Sequence, residues 1–220
     1  MNSPPGGSTE AQTAGWDDQR QVDWYLDRIG QLPPRLAGEE VLRSVLPAEP
    51  ASLLDLGCGD GRLIALALDA RPGITRAVGM DRSEPMLKLA KERFTSDPRV
   101  SVVPGNLADS LEPLGRFDVI VSGFAIHHLE DERKRTLFGE VAQQLRPGGL
   151  FANLEVVASA TPELHAEFLG LIGRMADDPE DRLADVGSHL RWMRDAGLTH
   201  VDCLWRWRGF ALLVGRAPSG

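Results

Sequence analysis

From residue 52 onward, short continuous apolar runs alternate with longer segments in which apolar residues recur at helical spacing. Strands that are covered on both faces of a parallel sheet are apolar along nearly their whole length, so each run predicts a buried strand. Alternation of such strands with helices predicts an α/β fold whose sheet carries helices on both faces. The five predicted strands occupy residues 52–57, 76–81, 100–105, 117–123 and 149–157.

The segments between these strands predict crossover helices. Residues 62–70 and 85–94 have helical spacing, and Ser83 is placed to cap the amino terminus of the second helix. A third helix follows Asp131, where apolar residues recur on one face. The Arg-Pro-Gly-Gly segment at 146–149 is predicted to end this helix.

Two further helices and a hairpin are predicted after the fifth strand. Helical spacing covers residues 161–175 and 183–196, and strand-like runs follow at 200–207 and 210–216 with two residues between them. So short a separation predicts an antiparallel hairpin rather than a crossover. Alternation along the first run predicts that one face carries Val201, Cys203, Trp205 and Trp207.

The chain before the first strand has two parts. Residues 1–15 are rich in Gly, Pro, Ser and Thr, which predicts a flexible tail because such residues cannot offset the entropy of ordering. Residues 16–46 predict two short helices separated at a Pro-Pro pair. We therefore expect an N-terminal helical segment over 16–46, followed by one domain over 47–220 with a helical insertion at about 160–197.

Composition narrows the classes of function. The formal net charge is −8, which argues against a surface that neutralises many phosphates, so nucleic-acid binding is not expected. No apolar stretch reaches the roughly 20 residues that span a bilayer, and no leader pattern opens the chain. We therefore expect a cytoplasmic protein without a membrane partner. The two cysteines, Cys58 and Cys203, form no disulfide or metal-binding pattern.

A glycine-rich turn, Asp-Leu-Gly-Cys-Gly-Asp-Gly at 55–61, follows the first strand directly. Glycines let the backbone approach a ligand closely because they lack side chains and tolerate positive φ. Gly61 comes one residue earlier than the third glycine of a dinucleotide-binding turn, which favours a nucleoside without pyrophosphate. Asp81 ends the second predicted strand, where a carboxylate can accept hydrogen bonds from both ribose hydroxyls.

These motifs resemble those of the class I, Rossmann-like methyltransferases that use S-adenosylmethionine (SAM). That family places an acid before a G-x-G-x-G turn and another acid at the end of the second strand, as at 55–61 and Asp81. Gly-Asn-Leu at 105–107 resembles its adenine-binding motif, and further likeness lies at 117–123 and 145–149. The resemblance implies SAM as the cofactor and a seven-stranded Rossmann-like sheet with a C-terminal antiparallel hairpin.

The resemblance also assigns residues to the cofactor site. The resemblance implies that residues 16–46 fold over the cofactor as a lid segment. Tyr25 of this segment would cover the methionine part of SAM, and Arg35 would pair with its carboxylate. A helix that uses Tyr25 only for packing is the alternative. The predicted cofactor-binding residues are Tyr25, Arg35, Asp55, Gly57, Cys58, Gly59, Asp81, Arg82, Met86, Asn106, Leu107, Ser122, Gly123 and Phe124.

Candidate catalytic residues follow the fourth and fifth strands, because ligands lie outside the carboxyl ends of strands in open α/β sheets. His127 would act as a general base on the acceptor, with Glu155 to orient it or hold its charged form. Simple lining of the cleft is the alternative for His127, and His128 is expected to be a packing residue. Similar His-His-Leu segments occur in sugar and polyketide-type methyltransferases, where the first His resembles a general base. Adjacent histidines lack helical ligand spacing, so no metal site is predicted.

The insertion contains an aromatic and methionine-rich set that would either cap an apolar substrate or pack in the core. The set consists of Phe168, Leu171, Ile172, Met175, His189, Trp192 and Met193.

Together these features predict methyl transfer from SAM to an oxygen or nitrogen of a small molecule, such as a specialised metabolite. Methyl transfer to tRNA or protein, and a non-catalytic SAM-binding partner protein, are the alternatives. The glycine spacing disfavours an NAD-dependent oxidoreductase. The sequence is compatible with either a monomer or a homodimer.

Overall fold

The computed structural model describes residues 15–28, 31–111 and 114–219. The predicted flexible tail falls on residues 1–14, which lie outside the described residues, and on Gly15. No helix of the described part is long and apolar enough to cross a membrane.

The strands are β1 (Ser52–Leu56), β2 (Arg76–Asp81), β3 (Val100–Pro104), β4 (Phe117–Gly123), β5 (Leu145–Val156), β6 (Thr199–Trp207) and β7 (Phe210–Arg216). The α-helices are α1 (Gln19–Arg28), α2 (Pro33–Val45), α3 (Arg62–Ala70), α4 (Glu84–Arg93), α5 (Asp131–Gln144), α6 (Pro162–Leu171) and α7 (Val186–Asp195), and Ile126–His128 form a short 3-10 helix.

The described strands form one mixed sheet in the order β3-β2-β1-β4-β5-β7-β6. Strands β1 to β5 pair in parallel, whereas β7 pairs antiparallel with both β5 and β6. The chain order reverses between β1 and β4, and in open α/β sheets such a point leaves a crevice outside the carboxyl ends of the strands. The predicted seven-stranded α/β sheet with a C-terminal hairpin is confirmed.

Two apolar cores cover the two faces of the sheet. Phe138 of α5 and Trp192 of α7 belong to the core on one face. Leu42 of α2, Ile64 of α3 and Phe168 of α6 belong to the core on the other face. Because α2 packs in this second core, the later part of the N-terminal segment is held against the sheet.

The fifth strand begins earlier than its apolar run predicts. Helix α5 ends at Gln144, as the Arg-Pro-Gly-Gly segment predicts, but Leu145 already pairs with Phe117 of β4. That segment is therefore the first part of β5, and Gly148 takes a φ of 74° within it. The apolar pattern identified only the buried part of the strand.

The prediction that Val201, Cys203, Trp205 and Trp207 share one face of β6 is wrong. The pairing of β6 with β7 shifts between Cys203 and Trp205. A bulge of one residue reverses the face to which the following side chains point. Val201 and Cys203 consequently pack on the α5 and α7 face, and Trp205 and Trp207 pack on the opposite face.

The aromatic and methionine-rich set of the insertion does not form one substrate cap. Phe168 and Ile172 lie in the core beneath α6, whereas Trp192 and Met193 lie in the core on the other face of the sheet. Met175 is 97% exposed. The remaining members are Leu171, which is exposed, and His189, which is buried. Trp192, Met193 and His189 are therefore structural, whereas Phe168 and Ile172 also line a cavity.

Candidate active site

The turn after β1 depends on its glycines. Gly57, Gly59 and Gly61 have φ angles of 72°, 52° and 80°, in the left-handed region that favours glycine. The amides of Gly57 and Cys58 both donate to the carbonyl of Met80, at 2.8 and 2.9 Å. A Cβ at Gly57 would lie 2.3 Å from the Cβ of Ala125. The turn is thus held close to β2 and to the loop that follows β4.

Asp81 is fixed in place by backbone amides. Its Oδ2 accepts a hydrogen bond from the Gly59 amide at 2.8 Å, and its Oδ1 accepts one from the Ser83 amide at 2.8 Å. Burial raises the pKa of Asp81, and these hydrogen bonds offset the effect only in part. Each carboxylate oxygen has a second lone pair, so Asp81 can accept two further hydrogen bonds from a ligand.

A cavity of about 950 Å³, counting the space at its open mouth, lies beside this turn and Asp81. We call it the first cavity. Ser122 does not line it, because its side chain is buried and its hydroxyl donates to the carbonyl of Leu56 at 2.7 Å. The other predicted cofactor-binding residues all line it, namely Tyr25, Arg35, Asp55, Gly57, Cys58, Gly59, Asp81, Arg82, Met86, Asn106, Leu107, Gly123 and Phe124.

Asp55 is a buried carboxylate that is suited to bind a cationic group of a ligand. It is 1% exposed, and neither of its carboxylate oxygens has a hydrogen-bond partner among the described residues. Burial, together with the charges of Asp81 and Asp60, raises the pKa of Asp55 well above its ordinary value. An unpaired buried carboxylate is costly, so a ligand that carries an ammonium group fits this wall of the first cavity. SAM has such a group.

The lid side of the first cavity is built around one buried guanidinium. Arg35 donates through Nε to Glu39 at 3.0 Å and through Nη1 to the Tyr25 hydroxyl, and it stacks over Phe124 at 4.8 Å. Glu39 also accepts from Arg62 at 2.7 and 2.8 Å. This network joins α1 and α2 to the start of α3, and it fixes Tyr25 and Arg35 on the cavity wall.

His127 lies beside a second cavity of about 570 Å³, which adjoins the first. Its Nδ1 is 2.6 Å from Oε1 of Glu155, and its Nε2 is 3.4 Å from Oδ1 of Asp181. His127 lines the second cavity but not the first, whereas His128 lines both. The two histidines therefore border the place where the cavities meet, and Glu155 supports His127 from the buried side.

The surroundings shift the pKa values of the two histidines in opposite directions. Burial lowers the pKa of His127, but the charges of Glu155 and Asp181 outweigh it and raise this pKa to about 9. Burial and the positive charge of His127 lower the pKa of His128. With nothing else bound, the pair therefore carries one positive charge near neutral pH, on His127.

Two residues of this region had no predicted role. Trp16 lines both cavities, with its ring 5.1 Å from that of Tyr25 and 5.9 Å from that of His128. Asp181 lies in the loop between α6 and α7, where no hydrophobic periodicity points to a position. The acidic run at 177–181 was the one signal in the sequence that could have identified it.

Comparison with known proteins agrees with this geometry. A family described as "Methyltransferase domain" matches residues 53–149. An uncharacterised methyltransferase of Mycobacterium tuberculosis is 32% identical over 157 residues, which cover 70% of this chain and 75% of that protein.

Solved structures share the fold. An O-methyltransferase family protein from Burkholderia thailandensis has a TM-score of 0.72 at 23% identity, over 92% of this chain and 61% of that one. An O-methyltransferase family 2 protein from Planctomyces limnophilus, in complex with apigenin, has a TM-score of 0.68 at 21% identity, over 94% and 65%. The chain thus spans less than two thirds of either structure. The sequence matches and the shared fold show that the chain belongs to the class I, Rossmann-like family of SAM-dependent methyltransferases.

Proposed function

We propose that the enzyme transfers the methyl group of SAM to an oxygen or nitrogen of a small molecule held in the second cavity. The observation that carries this proposal is the contact between the two cavities. Trp16, Tyr25, Phe124 and His128 line both, so the cavities are adjacent, and in our proposal these side chains move apart to let the methyl group reach the acceptor. His127 stands on the wall of the second cavity only.

Chemistry assigns His127 and Glu155 to the acceptor. SAM supplies a methyl group bound to a positively charged sulfur. Transfer forms a bond from the acceptor atom to the methyl carbon and breaks the carbon–sulfur bond, which releases S-adenosylhomocysteine (SAH). A hydroxyl acceptor must also lose its proton. In our proposal His127 accepts that proton at Nε2 in its neutral form, while Nδ1 donates to Glu155. Because the pKa of His127 is raised to about 9, turnover should increase as the pH rises from neutral toward that value.

The lining of the second cavity favours a small, neutral or cationic acceptor. The aromatic rings of Trp24, Phe168 and Phe210 form part of its wall. The acidic side chains on that wall are Asp177, Asp178 and Asp181, and they outnumber the basic ones, Arg174 and protonated His127. The solved O-methyltransferase family 2 protein in complex with apigenin supports a small-molecule acceptor.

The test separates cofactor binding from transfer. Purified protein is incubated with SAM and a panel of neutral, amine-bearing and acidic small molecules, and SAH formation is measured beside SAH affinity. His127→Ala and Glu155→Gln should each lower turnover by about 100-fold or more while SAH affinity is unchanged, because neither residue lines the first cavity. His165→Ala, which removes an imidazole paired with Asp177 away from this pair, is the control. Methylation of tRNA alone, or unchanged turnover in both site variants, would contradict the proposal.

A further inference from the structure

We propose that His127, His128 and Asp181 together bind a divalent transition-metal ion of the Zn²⁺ type at the junction of the two cavities. The assignment of a catalytic role to this ion rests on the proposed function, whereas the binding itself does not. One ligand atom of each residue lies within 4.8 Å of the other two.

The distances to Asp181 match those between ligands of one ion. Its Oδ1 is 3.4 Å from Nε2 of His127 and 3.3 Å from Nδ1 of His128. Zn²⁺ binds imidazole nitrogen and carboxylate oxygen at about 2.0–2.2 Å in tetrahedral geometry, which places neighbouring ligand atoms about 3.3–3.5 Å apart. Both nitrogens therefore already lie at ligand spacing from the carboxylate oxygen, and the two nitrogens lie within 4.8 Å of each other.

No well-aligned hydrogen bond joins the converging atoms to each other or to another described residue, although charged His127 would attract Asp181. Oδ1 of Asp181 and Nδ1 of His128 are both buried without a hydrogen-bond partner, although they lie 3.3 Å apart. The side chain of Asp181 is only 7% exposed. Buried polar atoms are normally paired, so two such atoms aimed at each other call for a bound partner.

The surrounding structure fixes each ligand. Oδ2 of Asp181 accepts the Asp178 amide at 3.0 Å, which leaves Oδ1 to face the imidazoles. The amide of Arg182 donates to the His127 carbonyl at 2.8 Å, and buried Lys134 donates to the Arg182 carbonyl. The loop that carries Asp181 is thereby tied to the 3-10 helix that carries both histidines.

Glu155 has the position of an outer-shell residue of a metal site. Its Oε1 is 2.6 Å from Nδ1 of His127, so Nδ1 donates and Nε2 is the nitrogen left for an ion. Metal-binding histidines commonly donate their other nitrogen to a carboxylate in this way.

Charge and ligand type select the class of ion. With neutral imidazoles, Asp181 and Glu155 place two buried negative charges around the site, which a divalent cation balances. Two imidazole ligands favour Zn²⁺ and neighbouring transition metals over Mg²⁺ and Ca²⁺, which prefer oxygen. Three protein ligands leave a coordination position that an acceptor oxygen in the second cavity could take. With Nε2 of His127 bound to the ion, the ion rather than His127 would promote proton loss, by lowering the pKa of the acceptor hydroxyl.

The experiment measures metal binding without SAM or acceptor. Protein stripped with a chelator is titrated with Zn²⁺ in competition with a chromophoric chelator, and with Co²⁺ while the visible absorption spectrum is recorded. We expect one Zn²⁺ per chain and a tetrahedral Co²⁺ spectrum. Asp181→Asn and His128→Ala should weaken Zn²⁺ binding by at least 100-fold, and Glu155→Gln by about 10- to 100-fold. His165→Ala should bind Zn²⁺ as the wild type does.

An unchanged circular dichroism spectrum and cooperative thermal unfolding will show that each variant is folded, because His128 itself lines the first cavity. The proposal would be overturned if the wild type bound no stoichiometric Zn²⁺, or if the wild type and Asp181→Asn bound Zn²⁺ equally well. The remaining explanation for the cluster would then be a proton shared between His127 and Asp181. Zn²⁺ binding without methylation of any small molecule would instead count against the proposed function alone.

Discussion

Replacement of Gly57 by alanine tests whether the turn after β1 is shaped by steric necessity. The φ of 72° is unfavourable for any side chain, and the added Cβ would lie 2.3 Å from the Cβ of Ala125. The Cβ of Ala125 is bonded directly to the backbone and cannot rotate away, so the clash can be relieved only if the loop after β4 moves. The same loop carries His127 and His128.

The expected cost follows from two effects. A left-handed conformation costs a non-glycine residue about 1–2 kcal/mol, and overpacking costs about 1–3 kcal/mol. Gly57→Ala should therefore lower the free energy of unfolding by about 2–5 kcal/mol. For a chain of 220 residues this corresponds to a fall in melting temperature of roughly 5–15 °C.

The assay is urea denaturation combined with titration of SAH. Gly139→Ala is the matched control, because Gly139 lies within α5 and nothing lies within 4 Å of an added Cβ. That substitution should raise stability by about 0.5–1 kcal/mol. SAH affinity should fall in Gly57→Ala and stay unchanged in Gly139→Ala. Equal stability and SAH affinity in Gly57→Ala and the wild type would refute this account of the turn.

Two further predictions concern the buried acids of the first cavity. Asp55→Asn should raise the stability of the ligand-free protein near neutral pH by about 1–3 kcal/mol, because a carboxyl whose pKa is raised by folding costs stability as the pH rises above 3.8. The same substitution should weaken SAH binding. Urea denaturation with and without SAH measures both effects, and a variant that is less stable than the wild type without ligand would contradict the reasoning. Affinity for SAH should fall as the pH drops from neutral toward 3.8, because the ionised form of Asp81 is the hydrogen-bond acceptor. The fall should begin at a higher pH than for an ordinary aspartate, because burial raises the pKa of Asp81. Calorimetry across this range, with circular dichroism to verify folding, would contradict the idea if the affinity stayed constant.

Much of the fold could be predicted because the sheet is parallel and buried. The bounds of α3 match the prediction of 62–70, since a glycine turn precedes the helix and its apolar face packs on the sheet. Position also identified Asp81, because the end of β2 faces the crevice wherever the strand order reverses.

The remaining features left no regular trace in the sequence. The bulge in β6 changes which face Trp205 occupies without altering the alternation of residue types. Ser122 was expected at the cofactor because it lies at the carboxyl end of the fourth predicted strand, but its hydroxyl donates within the sheet to the carbonyl of Leu56. Asp181 reaches His127 only through the fold of the insertion loop, which carries no periodicity.

The most direct test of the account is calorimetric titration of SAH into the wild type, Asp81→Asn and Asp195→Asn. Asp195 is exposed on α7 and serves as the control. Loss of two charge-assisted hydrogen bonds to the ribose should cost about 3 kcal/mol, so Asp81→Asn should bind SAH roughly 100-fold more weakly, and Asp195→Asn should bind it as the wild type does. A wild-type protein without affinity for SAH, or an Asp81→Asn variant that binds it equally well, would contradict the assignment of the cofactor to the first cavity.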